Sequence, residues 1–301
     1  MRNKRLRNKK NKTPYILGSR HERLLMDEKN RRKSVPLPLP NQKFDVNNPR
    51  RSILVWINTY NRPQDLRNLL SDIHRNKNVH KIKVLVFDDC STHNYDKVFE
   101  KFEGKLNLEC HTMATNHGKK GYWKLCTYAM QVIRDNSNFN YFVKLDDDGR
   151  LVDRFFDKCC HIWESIHDPR KICLNFRVDS REGKRVWTNF VPQKKYFNGI
   201  PVYRSQWVDM DFFVPFQFFS TLGYEIPKPP DQRWRNPLIS SGTGKYISNR
   251  LHKMGYSLYL TEQTLVIHDE HDSKMNPRER SKNPLITKPI TNPTYGDRID
   301  G

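Results

Sequence analysis

No stretch of this 301-residue chain is apolar for long enough to cross a bilayer. Its opening, MRNKRLRNKKNK, has no apolar segment after the charges and so does not read as a secretory signal. The expectation is a soluble, cytoplasmic protein. The six cysteines (Cys90, Cys110, Cys126, Cys159, Cys160, Cys173) include no C-x-x-C pair, which argues against a structural zinc site and for reduced thiols packed as small apolar groups. No internal repeat is visible. No glycine-rich basic loop follows the first apolar run, where NTYNRP stands instead, so the usual cradle for a triphosphate is missing. Acid is scarce too: 33 Asp and Glu face 54 Lys and Arg, leaving a net charge of +21.

The hydrophobic share of 36% is enough for a packed core, while a mean hydropathy of -0.86 marks a very polar surface. More than half of the excess charge, about +12, lies in the first fifty or so residues. Residues 1–48 carry NKRLRNKKNK and NRRKS followed by VPLPLPNQ, the composition of a basic flexible arm and a Pro-rich linker. Such an arm suits an anionic membrane surface, nucleic acid or an acidic partner, or is simply solvated. A basic nucleic-acid-binding protein is therefore one alternative, but the charge sits mainly in the arm and no known binding module is present.

From residue 52 the pattern becomes regular. Ile53 to Ile57 form a short branched apolar run, a buried strand broken by Asn61-Arg62-Pro63. Leu66, Leu69, Leu70 and Ile73 then recur at helical spacing, with Pro63 near the start. KIKVLVFDDCST predicts a second strand, YDKVFEKFEG a helix, LNLECHTMATN a third strand, GYWKLCTYAMQVIRDN a helix and YFVKLDDDG a fourth strand. Strands alternating with helices predict an α/β fold with a mostly parallel sheet, whose ligands bind at the carboxyl edge of the strands. Further on, KICLNFRVDS, KRVWTNFVP and SQWVDMDFFV read as strands of a smaller mixed sheet. PFQFFSTLGYEIPKPP and GKYISNRLHKMGY read as helices, and SLYLTEQTLVIHDE as a hairpin or strand pair ending at His268.

NTYN, DDCST and DDDG all fall at the ends of predicted parallel strands. Three adjacent carboxylates, Asp146, Asp147 and Asp148, repel one another, and a divalent cation with a taste for hard oxygen, Mg2+ or Mn2+, would relieve that repulsion. The simpler account of any one of them is a helix-capping aspartate.

VWINTYNRP, VLVFDDCST, NHGKKGYWKLCTYAMQ and YFVKLDDDG, in that order, resemble the N-terminal half of the GT-A glycosyltransferases, particularly glycosyltransferase family 2. The resemblance covers residues 52 to 155 well and continues loosely to about 276. It implies a nucleotide-sugar donor, UDP- or GDP-linked, and a glycan, lipid or protein acceptor. Between the basic arm at 1–48 and a Pro-rich tail at 279–301 that reads as extended or disordered, it further implies a nucleotide-sugar-binding half at 49–155 and an acceptor-binding half at 156–278. Tyr60 matches the residue that stacks on the base, with Asn58 and Thr59 on the same loop. Asp89 matches the carboxylate that accepts a hydrogen bond from the base, with Asp88 as its alternative. Lys119 and Lys120 lie where a basic residue often nears the nucleotide. Asp147 and Asp148, reinforced by Asp146, match the D-x-D motif. Asp148 is assigned to the metal, and Asp146 or Asp147 to the ribose or a metal-bound water. His268 matches the late histidine that completes the metal shell, with His271 as a substitute.

The family's usual acidic base position reads SSGTGKYISNRL here, without an acid. Asp209 and Asp211 in QWVDMDFFV are the nearest alternatives: two apart on a strand, they would face one side and serve as base and orienter. Asp269 and Glu270 are further alternatives. Trp187, Trp207, Phe212, Phe213 and Trp234 could line an acceptor site, although large aromatics more often fill cores. A nucleotidyltransferase of similar fold is the rival enzyme.

Overall fold

The computed structural model describes residues 50–180, 193–208, 211–228 and 243–268, with the side chains at 119, 120 and 178–180 left aside. The predicted arm, the tail, KRVWTNFVP, Trp187, Trp234, Asp209, Asp269, Glu270 and His271 lie outside these residues.

The first half follows the sequence pattern closely. Strand β1 (Ser52–Thr59) pairs in parallel with β2 (Lys81–Asp88) on one side and β4 (Tyr141–Asp146) on the other, and β2 pairs with β3 (Asn107–Thr112). Between them run the helices α1 (Pro63–Asn76), α2 (Asp96–Glu100) and α3 (Gly118–Arg134). Proline at the first position of α1, Asp65 in its first turn and His74 and Arg75 in its last suit the helix dipole. Leu66, Leu69, Leu70 and Ile73 are fully buried against the sheet, each contributing about 2 kcal/mol of apolar burial.

The alternation of a strand decides which layer each side chain joins. Ile53, Val55 and Ile57 pack with α1, whereas Leu54 and Trp56 pack with α3. In β4, Tyr141, Val143 and Leu145 take the α1 side and Phe142 the α3 side, which puts Lys144 and Asp146 on the α3 side too.

The second half adds β5 (Gly149–Leu151), α4 (Phe155–Ser165), β6 (Lys171–Ser180), β7 (Lys194–Phe197), β8 (Ile200–Ser205), β9 (Phe212–Pro215), α5 (Gln217–Leu222), α6 (Thr243–Lys253) and β10 (Ser257–His268). All ten strands join one sheet in the order β3-β2-β1-β4-β9-β6-β10-β8-β7, with β5 beside β10. Both halves thus share one sheet rather than forming two. Helix α6 ends as expected at Gly255, whose φ of 80° suits the left-handed turn that stops it.

Two expectations change. SLYLTEQTLVIH is a single strand: β10 runs along β6 throughout, pairs with β8 over Leu258–Thr261 and with β5 over Val266–His268, and shifts register between Leu260 and Thr264. Its polar interruption marks a change of partner, not a turn. Among the described residues, the strand that SQWVDMDFFV leads into is Phe212–Pro215, and Asp211 sits just before it. Phe212 and Phe213 are core, paired across β4 and β6.

Candidate metal centre

β1, β2, β4 and β10 all end at one edge of the sheet, and there the chain collects its acids. Asp146 closes β4. Asp147 and Asp148 form the turn into β5, whose Gly149 pairs directly with His268. Little room exists at that position: a Cβ on Gly149 would stand 3.1 Å from Val266 Cγ1 and 3.3 Å from the Asp146 carbonyl oxygen. The close pairing brings the His268 ring to the acids from the far end of the chain.

The positive charge facing the triplet comes first from the chain itself. Lys144, buried two residues before Asp146 on the same side of β4, forms an ion pair with it. Arg62, at the N-cap of α1, donates through Nη1 to Asp148 Oδ2 at 2.5 Å and to Asp147 Oδ1 at 3.3 Å. Thr59 donates its hydroxyl to Asp147 Oδ2 at 2.8 Å. Burial nonetheless pushes the Asp147 carboxyl up to about 7, against the pull of Arg62. Mutual repulsion within the triplet is therefore only partly offset by the chain itself, and donor geometry shows where a metal could sit.

That geometry centres on Asp211. Only 2% exposed, it accepts the Asp146 backbone N–H on Oδ1 at 2.8 Å, and its Oδ2 lies 3.0 Å from His268 Nε2. Burial alone would raise its pKa, but the hydrogen bond and charge of His268, with Lys144, hold it low. Burial would likewise lower His268; Asp211, joined by Asp148 and Asp146, raises it to about 9. Asp146, Asp211 and His268 offer ligand atoms all within 4.8 Å of one another. Two carboxylates and an imidazole are a donor set that fits Mn2+ or Mg2+, manganese the better for its tolerance of nitrogen. Asp148, assigned to the metal by resemblance, pairs with Arg62 and lies outside this cluster, whereas Asp211 lies within it.

The other expected residues fall on both sides of the same edge. Asn58 is 5% exposed and engaged at both ends of its amide: Trp56 Nε1 donates to its oxygen at 2.6 Å, and its nitrogen donates to Tyr122 Oη at 2.9 Å. Its position ties β1 to α3. Thr59 is turned the other way, towards Asp147 and Tyr95. Tyr60 is half-buried at the mouth of the edge. Asp88 closes a turn, accepting the Ser91 N–H at 3.1 Å. Asp89, 1% exposed, accepts from the backbone N–H of His117 at 2.9 Å and of Gly118 at 2.8 Å and from Asn116 Nδ2 at 3.2 Å. It therefore anchors the start of α3, where Lys119 and Lys120 follow in the first turn. With His117 Nδ1 also 3.1 Å from its Oδ1, about four acceptor sites of the carboxylate are engaged, so for Asp89 to grip a base one of those partners has to yield.

Sequence inspection passed over Arg62, Lys144 and Asp72. A lysine inside the apolar run YFVKLD is the visible signal for Lys144, because an unpaired buried ammonium is not tolerated. Asp72 is the counterpart on α1, an acid on the apolar stripe of a helix.

No protein-family model matches the chain, and no curated protein matches it in sequence. Solved structures do resemble it. Staphylococcus aureus TarS, residues 1–349 in complex with UDP-GlcNAc, superposes with a TM-score of 0.55 at 14% identity, over 74% of this chain and 60% of that one. The same fragment in the structure named without a ligand gives 0.52 at 15% identity, over 72% and 60%. A longer TarS structure gives 0.53 at 15% identity, over 72% of this chain and 36% of that one. The chain thus spans less than two thirds of the length of these TarS chains. What the likeness establishes is architecture: this chain has the fold of the GT-A glycosyltransferases.

Proposed function

We propose that the protein is a metal-dependent glycosyltransferase. It moves a sugar from a nucleotide-diphosphate sugar to a hydroxyl of a glycan, lipid or protein, with inversion. The observation that carries this is the Asp146–Asp211–His268 cluster at the carboxyl edge of a GT-A sheet. TarS, of like fold, was crystallised with UDP-GlcNAc and with UDP, which favours a uridine donor over a guanosine one.

Asp146, Asp211 and His268 would hold the ion, and a bound Mn2+ supplies Lewis-acid stabilisation to a departing diphosphate. Tyr60 supplies a face for the base, with Asp88 or Asp89 close by. Arg62 and Thr59 hold Asp147 and Asp148 still, so that the turn presents one arrangement. With Asp211 committed to His268 and to the Asp146 N–H, the proton of the acceptor hydroxyl falls to Asp209, its neighbour two residues earlier. The basic arm at 1–48 fits a tether to an anionic surface or acidic partner. No described helix is long and apolar enough to cross a membrane.

A thermal-shift screen tests the reading. Mn2+ with UDP, or with GDP, raises Tm above either component alone, through binding to the native state. A flat response to Mn2+ with every nucleoside diphosphate overturns it.

A further inference from the structure

We propose that Asp72 is a positioning residue for the metal centre: its carboxylate, buried in the middle of α1, holds β5 in the place where His268 can meet Asp146 and Asp211. This rests on the metal reading of that cluster.

Strand β5 has three residues and, among the described residues, one strand partner, β10. Its other flank faces α1. There Asp72, 1% exposed, takes the role a neighbouring strand would play. It accepts the Leu151 backbone N–H on Oδ2 at 3.1 Å. Arg150 donates to it through Nε at 2.7 Å and Nη2 at 3.0 Å, the two-pronged geometry that fixes direction as well as distance. Gly149 and Leu151 in turn pair with His268 and Val266.

An aspartate at this helix position is costly unless every lone pair is used, because Leu69, Leu70 and Ile73 around it are core. A leucine there would simply extend the apolar stripe. The acid instead engages the strand that follows the acidic turn. Helix α1 also grips that turn at its own start, through Arg62 on Asp147 and Asp148. Ten residues of helix, about 15 Å, separate the two grips. α1 is therefore a splint: one end holds the turn, the middle holds the strand leaving it, and the metal cluster stands across the sheet from both. Outer residues that only orient metal ligands typically change affinity by about ten- to a hundredfold.

The test is Mn2+ binding to the full-length chain without nucleotide, read from the electron paramagnetic resonance of free Mn2+. Wild type is compared with Asp72→Asn, with Arg150→Gln, and with Asp157→Asn at the opposite edge of the sheet. The expected result is a Kd raised about tenfold or more in the first two and unchanged in the third. Faster exchange of the Leu151 amide relative to β1 is expected in Asp72→Asn. If Asp72→Asn does not fold, Arg150→Gln, whose side chain is partly exposed, decides. Wild-type affinity in folded Asp72→Asn or, in that case, Arg150→Gln overturns the inference, as does an equal loss in Asp157→Asn. A wild-type chain that binds no Mn2+ overturns the metal reading itself, and is distinguished by needing no substitution to appear.

Discussion

The sheet carries a histidine–aspartate pair with one buried partner at each end, and the two have the same contact distance. His268 Nε2 lies 3.0 Å from Asp211, and His80 Nε2 lies 3.0 Å from Asp157. Their surroundings differ. At the amino edge, the other nitrogen of His80 accepts the Arg51 N–H at 3.2 Å, and Asp157 also takes bonds from Asn78 and Arg154. Charges there are matched and the strand ends are stapled shut. At the carboxyl edge, Asp146, Asp147 and Asp148 crowd the same kind of pair, and among the described residues Lys144 and Arg62 are the cations paired with them. A surplus of carboxylate over local cation is what separates a candidate site from a staple.

Substitutions at the two ends break this comparison apart. Asp211→Asn should lower Mn2+-dependent hydrolysis of a nucleotide-sugar by about two orders of magnitude or more, beyond what orienting residues lose. Asp157→Asn should leave it unchanged, measured as nucleotide diphosphate released. Asp148→Asn should cost about tenfold, through the loosened Arg62 contact. A loss as deep as that of Asp211→Asn would move the ion from Asp211 to Asp148. In chemical denaturation, His80→Ala should lose about 1–3 kcal/mol by stranding buried partners, with Mn2+ affinity intact. His268→Ala should show the reverse, weaker Mn2+ binding with the smaller stability change.

The smallest effect lies at Lys171, a half-buried charge away from either pair. It donates to the Trp163 carbonyl oxygen at 2.6 Å, and burial lowers its pKa to about 8, against the pull of Glu164 and Asp168. Below pH 8 both folded and unfolded chains carry this proton, and burying the charge costs stability in full. Between pH 8 and about 10.5 only the unfolded chain keeps it, so that cost fades as pH rises. The Tm of Lys171→Met relative to wild type should therefore be higher at pH 7 than at pH 9.5, by differential scanning fluorimetry. An equal difference at both pH values would mean that Lys171 is not desolvated.

The parallel half was legible because its strands and helices each repeat one period long enough to recognise, as in Ile53–Ile57 and Leu66–Ile73. Helix α4 carried an equally clear stripe, Phe155, Phe156, Cys159, Cys160, Ile162 and Trp163, and was passed over. The turn at Asn198-Gly199, with φ of 49° and 78°, marked the β7–β8 hairpin in the same way. The metal cluster was legible in part. Asp146 and His268 follow from strand ends, but nothing local sends Asp211 to them, because that depends on β9 lying between β4 and β6. Lone-pair accounting also needs coordinates: Asn58 and Asp89 look ready for a base until their internal partners are counted.

The pairing of Gly149 with His268 has a bearing on biosynthesis. The acidic turn and the histidine are separated by more than a third of the chain, and contacts across such a separation form late because a long loop must close first. A nascent polypeptide emerging from the ribosome can assemble β1 to β4 early, yet holds no complete Asp146–Asp211–His268 cluster until residue 268 has been translated. By then every described strand of the sheet has been made.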